Sequence, residues 1–105
     1  MLSNIRISTR ANRQFQSICD YLVDEFGERT ADAFEHEVDC MIAELQRHPD
    51  SGHIEPFGRR YTYRSCIIGK INKMYYFVHN NTLFIAAFAD MRMHPDNIRK
   101  AVIGK

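Results

Sequence analysis

The feature that most constrains the fold of this chain is a change in its apolar period near residue 60. Before that point, apolar residues recur at spacings of three and four, which is the repeat of an amphipathic helix. After it, three short runs rich in tyrosine, phenylalanine, isoleucine and valine follow one another, as β-strands do. Grouped helices followed by grouped strands indicate an α+β fold, in which the helices pack on one face of an antiparallel sheet.

Two helices are predicted in the first half, and Gly27 separates them. Ser8 and Thr9 offer hydroxyls to cap the first helix, and Gly27 suits the left-handed residue that often ends one. A connection this short makes an antiparallel helical hairpin, and a turn over residues 48–52 ends it. The apolar stripes are Ala11, Phe15, Ile18, Leu22 and Phe26 in the first helix, and Ala31, Phe34, Val38, Met41, Ile42 and Leu45 in the second.

A short alternating run over residues 2–8 predicts an N-terminal strand, and residues 62–68, 73–79 and 82–89 predict three more. Asn80 and Asn81 fit a two-residue hairpin turn, because asparagine tolerates the left-handed conformation. Tyr75 and Tyr76 are adjacent, so we expect at most one of them in the core. Pro95 allows a short C-terminal helix. The expected fold is therefore one domain over residues 1–105, with an N-terminal strand and an antiparallel helical hairpin packed on a twisted, mainly antiparallel four-stranded sheet.

Charge is unevenly divided along the chain. Residues 1–50 hold five arginines and ten acids, whereas residues 51–105 hold nine basic residues and three acids. Two interpretations remain open. The basic half meets an anionic partner, or the two charged surfaces attract each other within the fold.

Several classes of protein are disfavoured. Three widely spaced cysteines indicate buried free thiols rather than disulfides or a zinc site, and the histidines lack metal-ligand spacing, so no metal is expected. The chain has no glycine-rich phosphate loop, so no cofactor is expected. No apolar run is long enough to cross a bilayer and residues 1–4 lack the charged-then-apolar pattern of a signal peptide, so we expect a cytoplasmic location without a membrane partner.

Basic residues of the second half form the candidate binding set. A guanidinium matches phosphate or carboxylate with a planar fork of donors. Arg64 lies inside a predicted strand, and Arg92 follows the last strand, where Asp90, Arg92 and His94 alternate. The alternative is a solvated sheet face with one arginine bound to Asp90. The full set is Arg59, Arg60, Arg64, Lys70, Lys73 and Arg92.

Four segments, in this order, resemble the RelE/ParE superfamily of bacterial toxins and cover nearly the whole chain: IRISTRANRQFQSICDYLVDEFG, ADAFEHEVDCMIAELQRHPDSG, YRSCIIGKINKMYYFV and LFIAAFADMRMHP. The most specific features are the spacing of Leu45, Pro49 and Gly52, the pair Tyr63-Arg64, and the spacing of Asp90, Arg92 and Pro95. The resemblance implies the toxin of a type II toxin-antitoxin pair, silenced by its cognate antitoxin.

The superfamily has two main activities. RelE-like members cut messenger RNA on the ribosome, using basic residues and usually a tyrosine or histidine near the C-terminus. ParE-like members lack that set and poison DNA gyrase. Arg64 and Arg92 match arginines of the superfamily; in a nuclease they would be the cations, and His94 would be the nearby proton-transfer group.

The long helical hairpin and the Asp90 motif look more ParE-like. The resemblance therefore implies a gyrase inhibitor that causes growth arrest and serves plasmid stabilization. Its partners would be the antitoxin and gyrase, with operator DNA reached only through the antitoxin. The alternatives are a ribosome-dependent endoribonuclease acting on mRNA, and a non-toxic member that only binds its antitoxin.

Overall fold

Two antiparallel helices pack on one face of a five-stranded sheet in the computed structural model, which describes residues 1–104. A third helix covers part of the other face. The α+β class, the helical hairpin and the C-terminal helix are as predicted. In chain order the elements are β1 Asn4–Ile7, α1 Thr9–Phe26, α2 Glu28–Arg47, β2 His53–Ile54, β3 Arg64–Ile68, β4 Asn72–His79, β5 Thr82–Asp90 and α3 Pro95–Ile103.

The sheet differs from the predicted four strands in having a fifth, and its order is β1-β5-β4-β3-β2. The additional strand β2 has only two residues, which is too short to show an alternating pattern, and it pairs antiparallel with the start of β3. Strand β1 pairs parallel with β5, whereas the other neighbours are antiparallel. The sheet is therefore mixed, with one parallel edge.

Local signals fix the ends of the elements. The Ser8 hydroxyl accepts a hydrogen bond from the Ala11 N–H at 2.9 Å and so caps α1. Gly27 separates the helices at φ +96° and ψ 168°, a conformation that favours glycine although it is not the left-handed helical one expected. Asn80 and Asn81 have φ of +50° and +57°, as a type I′ hairpin requires.

The sheet has a core on each face. The larger core lies under the hairpin and includes Leu45, Met74, Tyr76 and Leu83. On the opposite face α3 covers a smaller core, in which Val102 packs with Tyr75, Ala87 and Ala89. Tyr75 and Tyr76 are both buried, which corrects the expectation that at most one would be. The reason is that the second face is covered as well.

The three cysteines are free thiols. Cys19 and Cys66 are half-buried, and burial raises the pKa of Cys66 to about 12. Cys40 is exposed on α2, contrary to the expectation that all three would be buried. No helix within residues 1–104 has the length and apolar character needed to cross a membrane.

Candidate functional site

Arg64 lies on the hairpin side of the sheet, and its guanidinium is bound to the turn that follows α2. Its Nη1 donates hydrogen bonds to the carbonyl oxygens of Asp50 at 2.9 Å and Gly52 at 3.0 Å. Its Nη2 lies 3.8 Å from the Asp50 carboxylate, and the side chain is only 22% exposed. Arg64 therefore holds this turn against the sheet, and much of its hydrogen-bonding capacity is used internally.

The same turn is held by Tyr76, to which the sequence analysis gave no role beyond possible burial in the core. Its hydroxyl donates to the Pro49 carbonyl at 2.7 Å and accepts from the Gly52 N–H at 3.0 Å. A Cβ at position 52 would lie only 2.7 Å from Cε1 of that ring. Pro49, Gly52 and Arg64, which carried the resemblance, thus meet at one structural junction.

Lys73 lies on the opposite face and is paired with Glu55, their charged atoms being 3.6 Å apart. The Glu55 carboxylate also accepts a 2.6 Å hydrogen bond from Ser65. The Glu55 side chain is 11% exposed and that of Lys73 is 25% exposed. The ammonium charge of Lys73 is therefore balanced within the protein.

Arg92 forms a two-pronged ion pair with Asp90 just beyond β5. Its Nη2 donates to Oδ2 at 2.6 Å and its Nε to Oδ1 at 3.0 Å. The backbone N–H of Arg92 adds a bond to Oδ1 at 2.8 Å. These hydrogen bonds hold the pKa of Asp90 below its usual value. Those from the guanidinium have the larger effect, and the one from the backbone N–H has the smaller. The structure thus contains the arginine–Asp90 pair that was the alternative to a free binding residue.

This ion pair predicts a small acid-dependent loss of stability. A carboxylate whose pKa is lower in the folded state stabilises the fold above its unfolded pKa, near about 4, and this contribution is lost as pH falls through the folded pKa. We expect Asp90→Asn to have a lower urea midpoint than the wild type at neutral pH, and the difference to shrink in acid, as the pH falls below about 4. A difference that is equal at neutral and acidic pH would contradict the ion-pair assignment.

Arg64 and Arg92 do not converge. Arg64 pairs with Tyr76 on β4, whereas Asp90 pairs with Asn72, four residues along the same strand. That offset is about 13 Å along the strand direction, and Arg92 lies still further on, in the turn that follows β5. The two arginines are therefore too far apart to hold one phosphate in this conformation.

His94 caps α3. Its Nδ1 accepts a hydrogen bond from the Asp96 N–H at 3.1 Å, so one ring nitrogen is occupied by the backbone. The His94 side chain is 69% exposed. Of the predicted catalytic group, only Arg92 and His94 lie close together in the chain.

The other candidate residues are exposed and could pair with a charged partner. Arg59 and Arg60 are exposed in the loop before β3, and Lys70 is exposed in the β3–β4 turn. None of these three forms an ion pair within residues 1–104. Their role in binding stays a prediction.

An open groove, here called the hairpin groove, runs between the tip of the hairpin and the end of the sheet. Its volume is about 1050 Å³ and its lining is mostly apolar, with Lys70 and Arg92 at the sheet side. Tyr21 and Phe26 project into it, 54% and 64% exposed, with ring centroids 6.3 Å apart in an edge-to-face pair. The sequence pattern predicts Phe26 in the core stripe, but Phe26 is the last residue of α1 and is not among the residues that pack against the core under the hairpin.

Three of the tyrosines are poorly suited to proton transfer at neutral pH, because their pKa values are raised. Burial raises the pKa of Tyr75 to about 12 and raises those of Tyr63 and Tyr76. Within residues 1–104, no cluster of three or more His, Cys, Asp or Glu side chains is arranged to hold a metal ion. The hairpin groove, with its mostly apolar lining, is the larger of the two cavities described.

A strand and helical hairpin followed by an antiparallel meander, with an apolar groove between hairpin and sheet, is the architecture of a RelE/ParE-type toxin domain. The chain belongs to the ParE toxin family of type II toxin-antitoxin systems (parDE), whose pattern it matches over residues 5–95. A chain in the structure of the chromosomal ParDE toxin-antitoxin system from P. aeruginosa has the same fold. The two are 14% identical with a TM-score of 0.68, over 85% of this chain and 96% of that one. No curated protein matches this sequence significantly.

Proposed function

We propose that this protein is a ParE-like toxin that acts on DNA gyrase in the cytoplasm, arrests growth, and is neutralised by a cognate antitoxin. The observation that carries the proposal is the family match, which extends from β1 to the first residue of α3. The assignment of gyrase as the target and of the cytoplasm as the location rests on the family resemblance. Plasmid stabilization is the role that such a toxin would serve.

The geometry favours this branch over the RelE-like alternative. Cleavage of RNA needs a base, an acid and cations around one phosphate. Here Arg64 is bound to a turn on the hairpin side, Arg92 is neutralised by Asp90, and His94 accepts a backbone hydrogen bond. A ribosome-dependent mRNA endoribonuclease would have to rearrange all three, so it remains the second candidate.

The hairpin groove is the proposed antitoxin site. An amphipathic segment of the antitoxin would cover Tyr21 and Phe26 and extend across the end of the sheet, as helix-in-groove partners do. Acidic residues on that segment would meet Lys70, whose charge is unpaired within residues 1–104. Binding of operator DNA would then pass through the antitoxin alone.

The target is tested with purified gyrase and in cells. We expect the purified chain to trap cleaved plasmid DNA on gyrase in the presence of ATP, and its induced expression to trigger a DNA-damage response. His94→Ala should retain this activity within about twofold, because the residue caps a helix rather than transferring protons.

Two other outcomes would overturn the gyrase assignment. Rapid cleavage of transcripts at codon boundaries that is lost in His94→Ala would identify the nuclease. Absence of growth arrest, with tight binding to an antitoxin encoded by an adjoining small reading frame, would identify the non-toxic alternative. Co-expression of that antitoxin is the control, since it should abolish any toxicity specific to this pair.

A further inference from the structure

Three aromatic rings form a column on the sheet face away from the hairpin. Phe77 stacks on Phe84 with centroids 4.9 Å apart and an interplanar angle of 10°, and on Tyr61 at 4.2 Å and 9°. Tyr63 meets Phe77 edge-on. All of these rings are partly exposed, so the aromatic column, Tyr61–Phe77–Phe84, is a surface feature and not part of either core.

Arginines accompany one end of the aromatic column. Arg6 on β1 is in register with Phe84 on β5, so the two side chains share a face of the sheet. Beside them lies a cavity of about 630 Å³, within the range of small-ligand sites. Its lining includes Tyr63, Phe77, Phe84, Arg6, Arg10 and Arg13, and no acidic side chain of residues 1–104 lines it.

The arginines of this surface form no ion pair with an acidic side chain in the described part of the chain. Arg10 donates to the Val102 carbonyl at 3.0 Å. Arg6 and Arg13 are exposed and make no ion pair within residues 1–104, and Arg59 and Arg60 directly precede Tyr61 in the chain. Like charges gathered without acids repel one another, and an anionic ligand relieves that repulsion.

The ligand must combine negative charge with flat rings. Aromatic side chains stack unpaired bases whatever their sequence, and arginine binds phosphate and also stacks on planar groups. A duplex satisfies the charge but keeps its base faces inside its own stack. An acidic peptide satisfies the charge but offers no base to the rings.

We propose that the aromatic column and the adjacent arginines bind unpaired nucleotides of a single-stranded nucleic acid. One base stacks against the ring column at the Phe84 end, while Arg6 and Arg13 receive the flanking phosphates. This surface is on the opposite side of the sheet from the buried hairpin face, although Arg13 lines both its cavity and the hairpin groove.

The test measures binding of fluorescein-labelled dT12 to the purified full chain by fluorescence anisotropy. We expect a dissociation constant on the order of micromolar in low salt. Phe84→Leu keeps apolar bulk but removes the stacking face, and should weaken binding about tenfold. Arg6→Gln should weaken binding and reduce the slope of log K against log salt by about 0.7, the value for one phosphate contact on a single strand.

Matched variants and ligands make the result decisive. Arg29→Gln, which removes an exposed arginine of α2, should leave binding unchanged. Tyr61→Leu provides a second ring variant outside the strands, should Phe84→Leu fail to fold. Stronger binding of rU12 than of dT12 would support the site and identify RNA as the preferred ligand. Equal binding of a same-length duplex or of polyglutamate, absence of saturable binding, or indifference to both ring variants would overturn the proposal.

Discussion

Replacing Gly52 by alanine is expected to lower the free energy of unfolding by about 2–3 kcal/mol. The added Cβ would overlap the ring of Tyr76, which is fully buried and held by hydrogen bonds to Pro49 and Gly52. Neither the ring nor the turn can move without breaking those bonds or the two from Arg64. Because small domains have only about 5–15 kcal/mol of stability, this is a large fraction of the total.

Urea denaturation measures the effect, with Ser51→Ala as the matched control. Ser51 is exposed in the same turn, so its variant should remain within about 0.5 kcal/mol of the wild type. Tyr76→Phe removes the hydroxyl that the new methyl group meets, so the double variant should lose less than the sum of the two single losses. Wild-type stability in Gly52→Ala would show that the turn is not packed against Tyr76 in this way.

Truncating Tyr21 to alanine is expected to weaken antitoxin binding about 30-fold or more, as for an aromatic hot spot at the centre of an interface. In the isolated chain the Tyr21 ring is 54% exposed and lines the hairpin groove beside Phe26. Its loss should therefore cost the folded toxin little, mainly the edge-to-face pair with Phe26. Calorimetric titration with the purified antitoxin measures the change.

Val23→Ala is the control, because Val23 is an exposed apolar residue of the same helix that does not line the groove. Its affinity should stay within about twofold of the wild type, as expected outside a hot spot. Equal losses in both variants would indicate a general effect on α1. No loss in Tyr21→Ala would place the antitoxin elsewhere on the toxin.

The parts of the fold that follow from local rules could be predicted. Ser8 caps α1, Gly27 separates the helices, and Asn80-Asn81 makes the hairpin, because each depends on the chemistry of a few neighbouring residues. Strand β2 could not be predicted, because two residues define no period. The burial of both Tyr75 and Tyr76 depends on α3 and the loop before β3, which pack from distant positions.

The environment of the candidate site residues was harder to predict, because their partners are distant in the chain. Arg64 and Lys73 have the charge and strand position of binding residues, yet they meet Asp50 and Glu55, 14 and 18 positions earlier in the chain. Those partners are brought close only by the turn after α2 and by the segment that follows β2. Arg92 was the exception, since its partner Asp90 is two residues away and the pair was foreseen as an alternative.

Because β1 pairs with β5, the sheet cannot be completed during synthesis until β5 has been made. The Ser8 hydroxyl that caps α1 donates to the Ala86 carbonyl, 78 residues further on. Contacts of such separation close slowly, since a long loop must be ordered before they form. During synthesis the hairpin can emerge first, but the hairpin groove and the aromatic column both need β5. A growing chain therefore lacks both the complete groove and the complete aromatic column until β5 has been translated.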